Sequence, residues 1–370
     1  MRPAGRKQPG VRLALALLIM ILCLPGCGSK VVITAGFQDD IVLRVGEEEI
    51  DLPEMRLYLI GMQREYEKRY GEDVWNGEDG AELAALMREN ALARASRIAA
   101  LAQLGTEKGI GLSDQEQALA AQTAQEYAAG LSEADRLWLG LPDEPEKAEE
   151  TLQSAFARYE LAVNTYRSIL SAVNPEVSDD EARSVELRMI LIPYNSARAN
   201  AEEAEAVREA AMQGSYEGLT LDQSAYSRAQ KAKALLDEGE DFMTVASEYN
   251  EGEKSFLVLG RGEAEPVIEE TAFNLAEGEI SNILKTEEGY CILQLVSGIN
   301  RAQTEERKAQ IAAQRQQEAF EAEYNSFLQN VDYALSDENY RQVVLCRDEA
   351  VSAGGFYDLC RSQFGEQESQ

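Results

Sequence analysis

The chain has 370 residues and contains no histidine, which removes the commonest metal ligand and the commonest general base among protein side chains. Its five cysteines lie at irregular spacings, and no zinc, haem or EF-hand-like acidic motif is present. The sequence therefore predicts neither a metal nor a cofactor.

Cysteine is also too scarce and too irregular to form a disulfide framework. Cys23 and Cys27 lie near the N-terminus, which leaves Cys291, Cys346 and Cys360. One alternative is that Cys346 and Cys360 close a small loop in an oxidising compartment. The other alternative is that all three thiols are reduced, and their odd number favours it.

Positive charge is in short supply, with 35 Lys and Arg against 66 Asp and Glu. Four of the basic residues lie in the first 12 positions, so the rest of the chain is more acidic still. A surface with this net charge repels phosphate backbones, and the charge pattern therefore excludes a nucleic-acid partner.

The N-terminus has the pattern of an export signal. A basic segment without acidic residues precedes an apolar run, Leu13 to Leu24, that is shorter than the roughly 20 residues a membrane-spanning helix needs. The run ends in Leu24-Pro25-Gly26-Cys27, which resembles the bacterial lipoprotein-processing pattern. We therefore predict a signal peptide over 1–26 and a lipid anchor on Cys27. The alternative is an uncleaved signal anchor.

Several motifs between Asp241 and Val296 resemble the parvulin family of peptidyl-prolyl cis-trans isomerases. They occur in the family's order and close to its spacing: Asp241-Phe242, Leu259-Gly260-Arg261-Gly262, Gly278-Glu279-Ile280-Ser281 and Thr286-Glu287-Glu288-Gly289-Tyr290. The family's two histidines fall on Met189, within Arg-Met-Ile-Leu, and on Cys291. Both catalytic histidines of the family are therefore replaced by apolar residues.

The resemblance also implies where the other site residues lie. Thr286 matches the hydroxyl of the family's polar cluster, so the degenerate catalytic positions are Thr286, Cys291 and Met189. The pocket positions that would hold a proline ring are Ala264, Ile268 and Phe273, and Phe256 is a further candidate for a missing ring wall. The alternative for Met189 and Cys291 is the inner face of two paired strands, and the apolar character of both residues favours it.

The pattern of helices and strands indicates an α+β protein. An amphipathic stripe from Leu152 to Leu170 predicts the strongest helix, and a hairpin near Ile41 to Glu54 is similar to the opening of SurA/PrsA-type chaperone domains. After the signal peptide we expect a SurA/PrsA-like helical domain (27–182), a parvulin-like domain (183–300) with an insertion near 196–222, a returning C-terminal helix (301–345) and a tail (346–370).

Three functions remain open. The resemblance implies a membrane-anchored foldase that speeds X-Pro isomerisation in unfolded exported proteins, on the extracytoplasmic side of a bacterial membrane. The second alternative, favoured by the lost histidines, is a chaperone whose isomerase activity is weak or absent. In its extreme form this is a non-catalytic holdase that uses the same fold as a binding clamp. The third alternative is a lipoprotein with no role in folding.

The lipid anchor is directly testable. In a bacterial host, the Cys27→Ala variant is expected to leave the membrane fraction because it has no thiol to carry lipid, while Cys23→Ala stays membrane-bound. Cell fractionation and immunoblotting measure both variants. A Cys27→Ala chain that remains as firmly bound as wild type supports the signal anchor instead.

Overall fold

The computed structural model describes residues Val32–Ile33, 40–194 and 221–365, which fall into two compact units. The first unit contains residues up to Val173 and from Gln317 onward, and the second contains Asn174–Gln316. Cys27, the predicted signal peptide and most of the predicted insertion lie outside the described residues. Within the described part, no helix is long and apolar enough to cross a membrane.

The first unit combines a small sheet with a bundle of helices, as the α+β prediction requires. Its first strands and helices are β1 (Val32–Ile33), β2 (Ile41–Val45), β3 (Glu48–Asp51), α1 (Leu52–Tyr70), α2 (Gly80–Glu107), α3 (Asp114–Gly130), α4 (Glu133–Leu139) and α5 (Pro145–Ala172). A short 3-10 helix, Glu72–Asn76, connects α1 to α2. Strands β2 and β3 form the predicted antiparallel hairpin, and its turn contains Gly46 at φ 60°, a conformation that favours glycine.

Local capping explains where several of these helices begin. Ser113 and Glu116 form the predicted reciprocal capping box at the start of α3, and Ser132 with Asp135 forms a second one at α4. The Asp51 carboxylate caps α1 by accepting from Glu54 N–H at 2.8 Å. The chain after α5 cannot continue the helix, because Asn174 precedes Pro175.

The apolar stripe on α5 packs into the core of the first unit, as predicted. Leu152, Phe156, Tyr159 and Val163 are each at most 1% exposed. The returning helix α10 (Arg301–Leu328) follows the four helices α6 to α9 and the strands of the second unit, which are given below. Its later residues, Phe320 and Phe327, join the same core as the N-terminal helices.

The returning helix contacts α5 through both rings and polar groups. The ring of Phe320 lies edge-on to Tyr166 at a centroid distance of 4.7 Å, and the Tyr166 hydroxyl donates to Gln317 Oε1 at 2.9 Å. Such aromatic pairs contribute about 0.5–1.5 kcal/mol beyond the area that they bury.

The prediction of a patternless tail at 346–370 is wrong for residues 346–365. Phe356 and Tyr357 are fully buried in the core of the first unit, and Cys346 and Cys360 are buried free thiols. Side chains elsewhere in the unit bind the backbone of this segment: Gln63 bonds both N–H and C=O of Cys346, and Asp135 accepts from Ser352 N–H and Ala353 N–H. These contacts are long-range, so no local periodicity in the sequence reveals them.

The second unit is an antiparallel sheet with helices on both faces. Its strands and helices are α6 (Asp179–Ala182), β4 (Ser184–Pro193), α7 (Leu221–Asp237), α8 (Phe242–Tyr249), β5 (Phe256–Gly260), α9 (Pro266–Asn274), β6 (Leu284–Lys285), β7 (Gly289–Ser297) and the first part of α10. The strand order is β5-β4-β7-β6. The long central pair β4–β7 runs from Glu186 opposite Ser297 to Pro193 opposite Gly289.

Alternation along the central strands gives the sheet two different apolar faces. Ile190 and Ile292 face α7 and α8, with Phe242 among their neighbours. Leu187 and Leu293 face the opposite side, together with residues of α9. Because strand side chains alternate with a period of two, the register assigns each residue from Leu187 to Pro193, and its partners from Gly289 to Leu295, to one face of the sheet.

The last strands and helices complete the sheet of the first unit. They are β8 (Tyr333–Leu335), α11 (Asp337–Tyr340) and α12 (Phe356–Gln363). Strand β8 lies between β1 and β2, so the strand order is β1-β8-β2-β3. The returning chain therefore contributes both a central strand and buried aromatic side chains to this unit.

Removal of the C-terminal segment should unfold the first unit. A chain that ends after Leu345 loses Phe356 and Tyr357, each worth about 3–5 kcal/mol, against a total stability of about 5–15 kcal/mol for a domain. The matched control is a chain that ends after Gly365. Thermal unfolding, followed by circular dichroism, should show the transition of the first unit in the longer chain and not in the shorter one. Equal melting profiles for the two chains would contradict the assignment of residues 346–365 to the core.

One carboxylate in the first unit is buried without compensation. Glu160 on α5 is 4% exposed, and its Oε2 atom has no hydrogen-bond partner among the described residues. Burial, followed by the negative charge of Glu116, raises the pKa of Glu160 to about 7. Ionisation of this group therefore opposes folding.

This burial predicts a pH-dependent stability. Because the folded pKa lies above the unfolded one, the contribution of Glu160 is fully present below about pH 4.5 and is lost as pH rises through about 7. Glu160→Gln should therefore melt like wild type near pH 5 and be more stable by about 1–2 kcal/mol near pH 8. Denaturant titrations at both pH values measure this, with the exposed Glu150→Gln on the same helix as control. A Glu160→Gln variant with no gain at the higher pH would refute the assignment.

Candidate functional site

Met189 and Cys291 lie on the same face of the central strand pair. Met189 is opposite Leu293, and Cys291 is opposite Leu191, so the two residues are diagonal neighbours across β4 and β7. Diagonal neighbours in a sheet lie roughly 7–8 Å apart, within reach of long side chains. Both residues contribute to one apolar cluster with Leu293 and Leu295. This arrangement supports the hypothesis of an inner strand face.

The Cys291 thiol is in an environment that keeps it neutral. The residue is fully buried, and burial together with the negative charge of Glu265 raises its pKa to about 12. A thiol with so high a pKa is neither a thiolate nucleophile nor a proton donor near neutral pH. In this structure Cys291 acts as a small apolar side chain.

The pocket residues expected from the resemblance approach this face from one side. Ala264 precedes α9, and Ile268 and Phe273 lie on it; all three are partly buried and pack against the cluster that contains Cys291. Two guanidinium groups lie over the ring of Phe273, with Arg183 at 5.0 Å and Arg261 at 4.4 Å from its centroid. Cation–π contacts of this kind hold the ring in place.

Phe256 does not join the other pocket candidates. It is paired with Arg188 on β4, while the next residue, Leu257, pairs with Leu187 and packs on the pocket face. The register therefore directs Phe256 to the opposite face of the sheet, where it is 48% exposed. The hypothesis that Phe256 supplies a missing ring wall is not supported by this placement.

The Thr286 hydroxyl is engaged in the turn between β6 and β7. It is buried, donates to Gly289 O at 3.0 Å and accepts from Gly289 N–H at 3.1 Å. Thr286 thus closes the turn that leads into the strand of Cys291. Positions 189 and 291, where the resemblance implies histidine, carry Met and Cys. Neither position therefore adds a polar side chain to the Thr286 hydroxyl.

Asn250 is a positioning residue that the sequence analysis missed. Its Oδ1 accepts from Leu191 N–H at 2.8 Å and from Gly252 N–H at 3.2 Å, while its Nδ2 donates to Gly252 O and Ser255 Oγ. These bonds attach the loop before β5 to the central strand β4. The parvulin resemblance offered a signal for it: the family's Ala-x-x-Tyr-Ser motif falls on Ala246 to Asn250, so asparagine stands here where the family has serine.

Glu265 is a second residue that the sequence analysis missed. It stands at the N-terminal end of α9, and both of its carboxylate oxygens accept from Glu287 N–H, at 3.2 and 3.0 Å. The carboxylate therefore connects α9 to the turn beside Thr286, at the edge of the apolar cluster.

The partly exposed members of this apolar cluster, among them Met189, Ala264 and Ile268, provide an apolar surface with Thr286 and Glu265 at its edge. The described residues contain no group of three or more His, Cys, Asp or Glu side chains that could hold a metal ion. Neither Met189 nor Cys291 offers a nucleophile or general base. Chemically, such a surface is suited to bind an apolar ring next to a peptide bond.

The family comparison agrees with this geometry. The rotamase family model, described as the PPIC-type PPIASE domain, matches residues 190–297, which run from the last residues of β4 to the end of β7. Residues 190–297 are a parvulin-type rotamase domain. The match includes Thr286, Cys291 and the three pocket positions on and before α9, while Met189 lies one residue outside it.

One relative of this stretch of the chain is a foldase protein. Over 90 residues the chain is 34% identical to the foldase protein PrsA of Geobacillus kaustophilus; this stretch is 23% of this chain and 32% of that protein. The chain is therefore a PrsA homologue in this stretch, which spans about a third of the relative's length.

Solved structures of similar proteins share little sequence with this chain. PrsA of Bacillus cereus is 17% identical, with 87% of this chain and 98% of that chain covered at a TM-score of 0.29. PrsA of Lactococcus lactis is 11% identical, with 83% and 100% covered at a TM-score of 0.32. TM-scores this low carry no weight for function.

Proposed function

We propose that the protein is a lipid-anchored extracytoplasmic chaperone whose rotamase domain binds X-Pro segments and isomerises them far more slowly than a typical parvulin. The observation that carries the proposal is the apolar pair Met189 and Cys291 at the two positions where the resemblance implies histidine. The rotamase family match and the apolar face beside α9 support binding of proline-containing chains.

Prolyl isomerisation needs a surface that favours the twisted amide, since the barrier of about 20 kcal/mol arises from loss of amide planarity. Only interactions that are stronger in the twisted state accelerate the reaction. An apolar surface binds the planar and the twisted amide about equally, because dispersion contacts do not respond to the redistribution of charge that accompanies twisting. Binding is therefore retained while acceleration is lost.

The size of the pocket residues acts in the same direction. Ala264 and Ile268 stand where the resemblance implies the larger Met and Phe, so the pocket packs less closely around the proline ring. Weaker packing that affects both amide states equally raises KM, whereas the missing polar cluster lowers kcat. Both effects reduce kcat/KM.

The clients that fit this proposal are unfolded or nascent exported proteins with X-Pro bonds. The signal pattern and Cys27 support an anchor on the outer side of a bacterial membrane. A second candidate function is an efficient foldase, favoured by the PrsA homology of the domain. A third candidate is a holdase with no isomerase activity at all, favoured by the neutral, buried thiol of Cys291.

We expect a kcat/KM at least about tenfold below a parvulin that retains both histidines, because the polar cluster is absent. The measurement is prolyl isomerisation of a short peptide by the chain without residues 1–27, in parallel with suppression of aggregation of an unfolded client. Suppression should be intact. A parvulin-like rate would establish the efficient foldase instead, and failure to suppress aggregation would remove the chaperone role.

Restoring the histidines tests the reason for the low rate. Met189→His combined with Cys291→His should raise kcat, with Ala264→Met added to deepen the pocket. Each single histidine is the matched control, because a lone buried imidazole lacks its partner and costs about 1–3 kcal/mol of stability. A double variant that folds but is no faster than wild type would show that the missing histidines are not the cause of the low rate.

A further inference from the structure

The carboxylate of Glu265 lies at the edge of the apolar face formed by Met189, Ala264, Ile268 and Phe273, which is called the cleft below. The residue joins two parts of the apolar cluster's edge: it follows Ala264 directly, and it accepts from the backbone of Glu287 next to Thr286. Its negative charge, after burial, also contributes to the raised pKa of the buried Cys291 thiol beneath this face. A peptide bound on this face would therefore lie close to Glu265.

The charge of Glu265 is not neutralised by the protein. Among the described residues, no lysine or arginine forms an ion pair with it, whereas its neighbour Glu263 is paired with Arg307. In the described part of the chain it accepts from the N–H of Glu287, and a carboxylate has about four acceptor positions. Acceptor capacity and negative charge both remain for a ligand.

The positive charges of the cleft lie near Phe273 and are already engaged. Arg261 donates to Asp180 at 2.9 Å, and Arg183 donates to Phe273 O at 2.9 Å. At the end near Thr286, the neighbouring Lys285 is paired with Asp222 at 3.1 Å, so among the described residues it does not form an ion pair with Glu265. The arginines at Phe273 likewise have other protein partners.

We propose that Glu265 makes the cleft selective for substrates with lysine or arginine beside the proline. This inference rests on the proposed function and specifies its substrate class. An ammonium or guanidinium group next to a bound proline would meet the Glu265 carboxylate and form a charge-assisted hydrogen bond. A glutamate at the same place would be repelled.

Fluorescent peptides that differ only beside the proline test this selectivity. One series places Lys, Ala or Glu directly before proline, and a second series places them directly after it. We expect the lysine peptide of at least one series to bind the full chain without residues 1–27 about fivefold more tightly than the alanine peptide, the size of one near-surface charge contact. Fluorescence anisotropy gives the dissociation constants.

The matched variants are Glu265→Gln and Glu270→Gln. The first substitution keeps an oxygen that can accept from Glu287 N–H but removes the charge, so the lysine preference should disappear while the alanine peptide binds as before. Glu270 is exposed on the same helix, and its substitution removes the same charge without touching the cleft. The preference should persist in Glu270→Gln and should shrink as salt rises from about 0.05 to 0.5 M.

The outcomes separate this inference from the proposed function. Equal binding of lysine, alanine and glutamate peptides, or a lysine preference that survives Glu265→Gln, overturns the selectivity and leaves prolyl-peptide binding in place. No binding of any peptide overturns the proposed function itself, and the selectivity with it.

Discussion

The antiparallel pairing of Ser184–Pro193 with Gly289–Ser297 is the constraint on which the candidate site depends. Its register assigns Met189 and Cys291 to one face and Ile190 and Ile292 to the other. A slip by one residue would reverse both assignments. The bonds of Asn250 to Leu191 and of Thr286 to Gly289 secure the loop and the turn that flank this pair. The geometry of the cleft is thus a consequence of the central strands.

The loss of both family histidines is easier to understand as one change than as two. A buried polar network is stable when every member has a partner, and removing one member leaves the other unsatisfied at a cost of about 1–3 kcal/mol. Replacement of both by apolar side chains restores a consistent core, and the packing of Met189 and Cys291 in one cluster fits this explanation. The stability of the fold is then conserved, but the polar groups that would stabilise the twisted amide are absent.

The sequence predicts those helices, strands and caps that are determined by residues close together in the chain. The α5 stripe, the capping box at Ser113 and the strand around Met189 follow from periodicity and short motifs. The core position of Phe356 and Tyr357 does not, because their partners are far away in the chain. The sequence does not reveal on which face of the sheet Phe256 lies, because only the register of β5 decides it. It does not reveal the role of Glu265 either, because the contact of Glu265 with Glu287 depends on tertiary packing.

The most direct test of the account is one NMR experiment on the chain without residues 1–27, with a peptide that contains a single X-Pro bond. Titration reports binding through the methyl signal of Met189, and exchange spectroscopy on the same sample reports cis-trans interconversion of the peptide. The account predicts a saturable shift of Met189 together with cis-trans exchange too slow to give cross-peaks. Strong exchange cross-peaks at a low ratio of protein to peptide would contradict it.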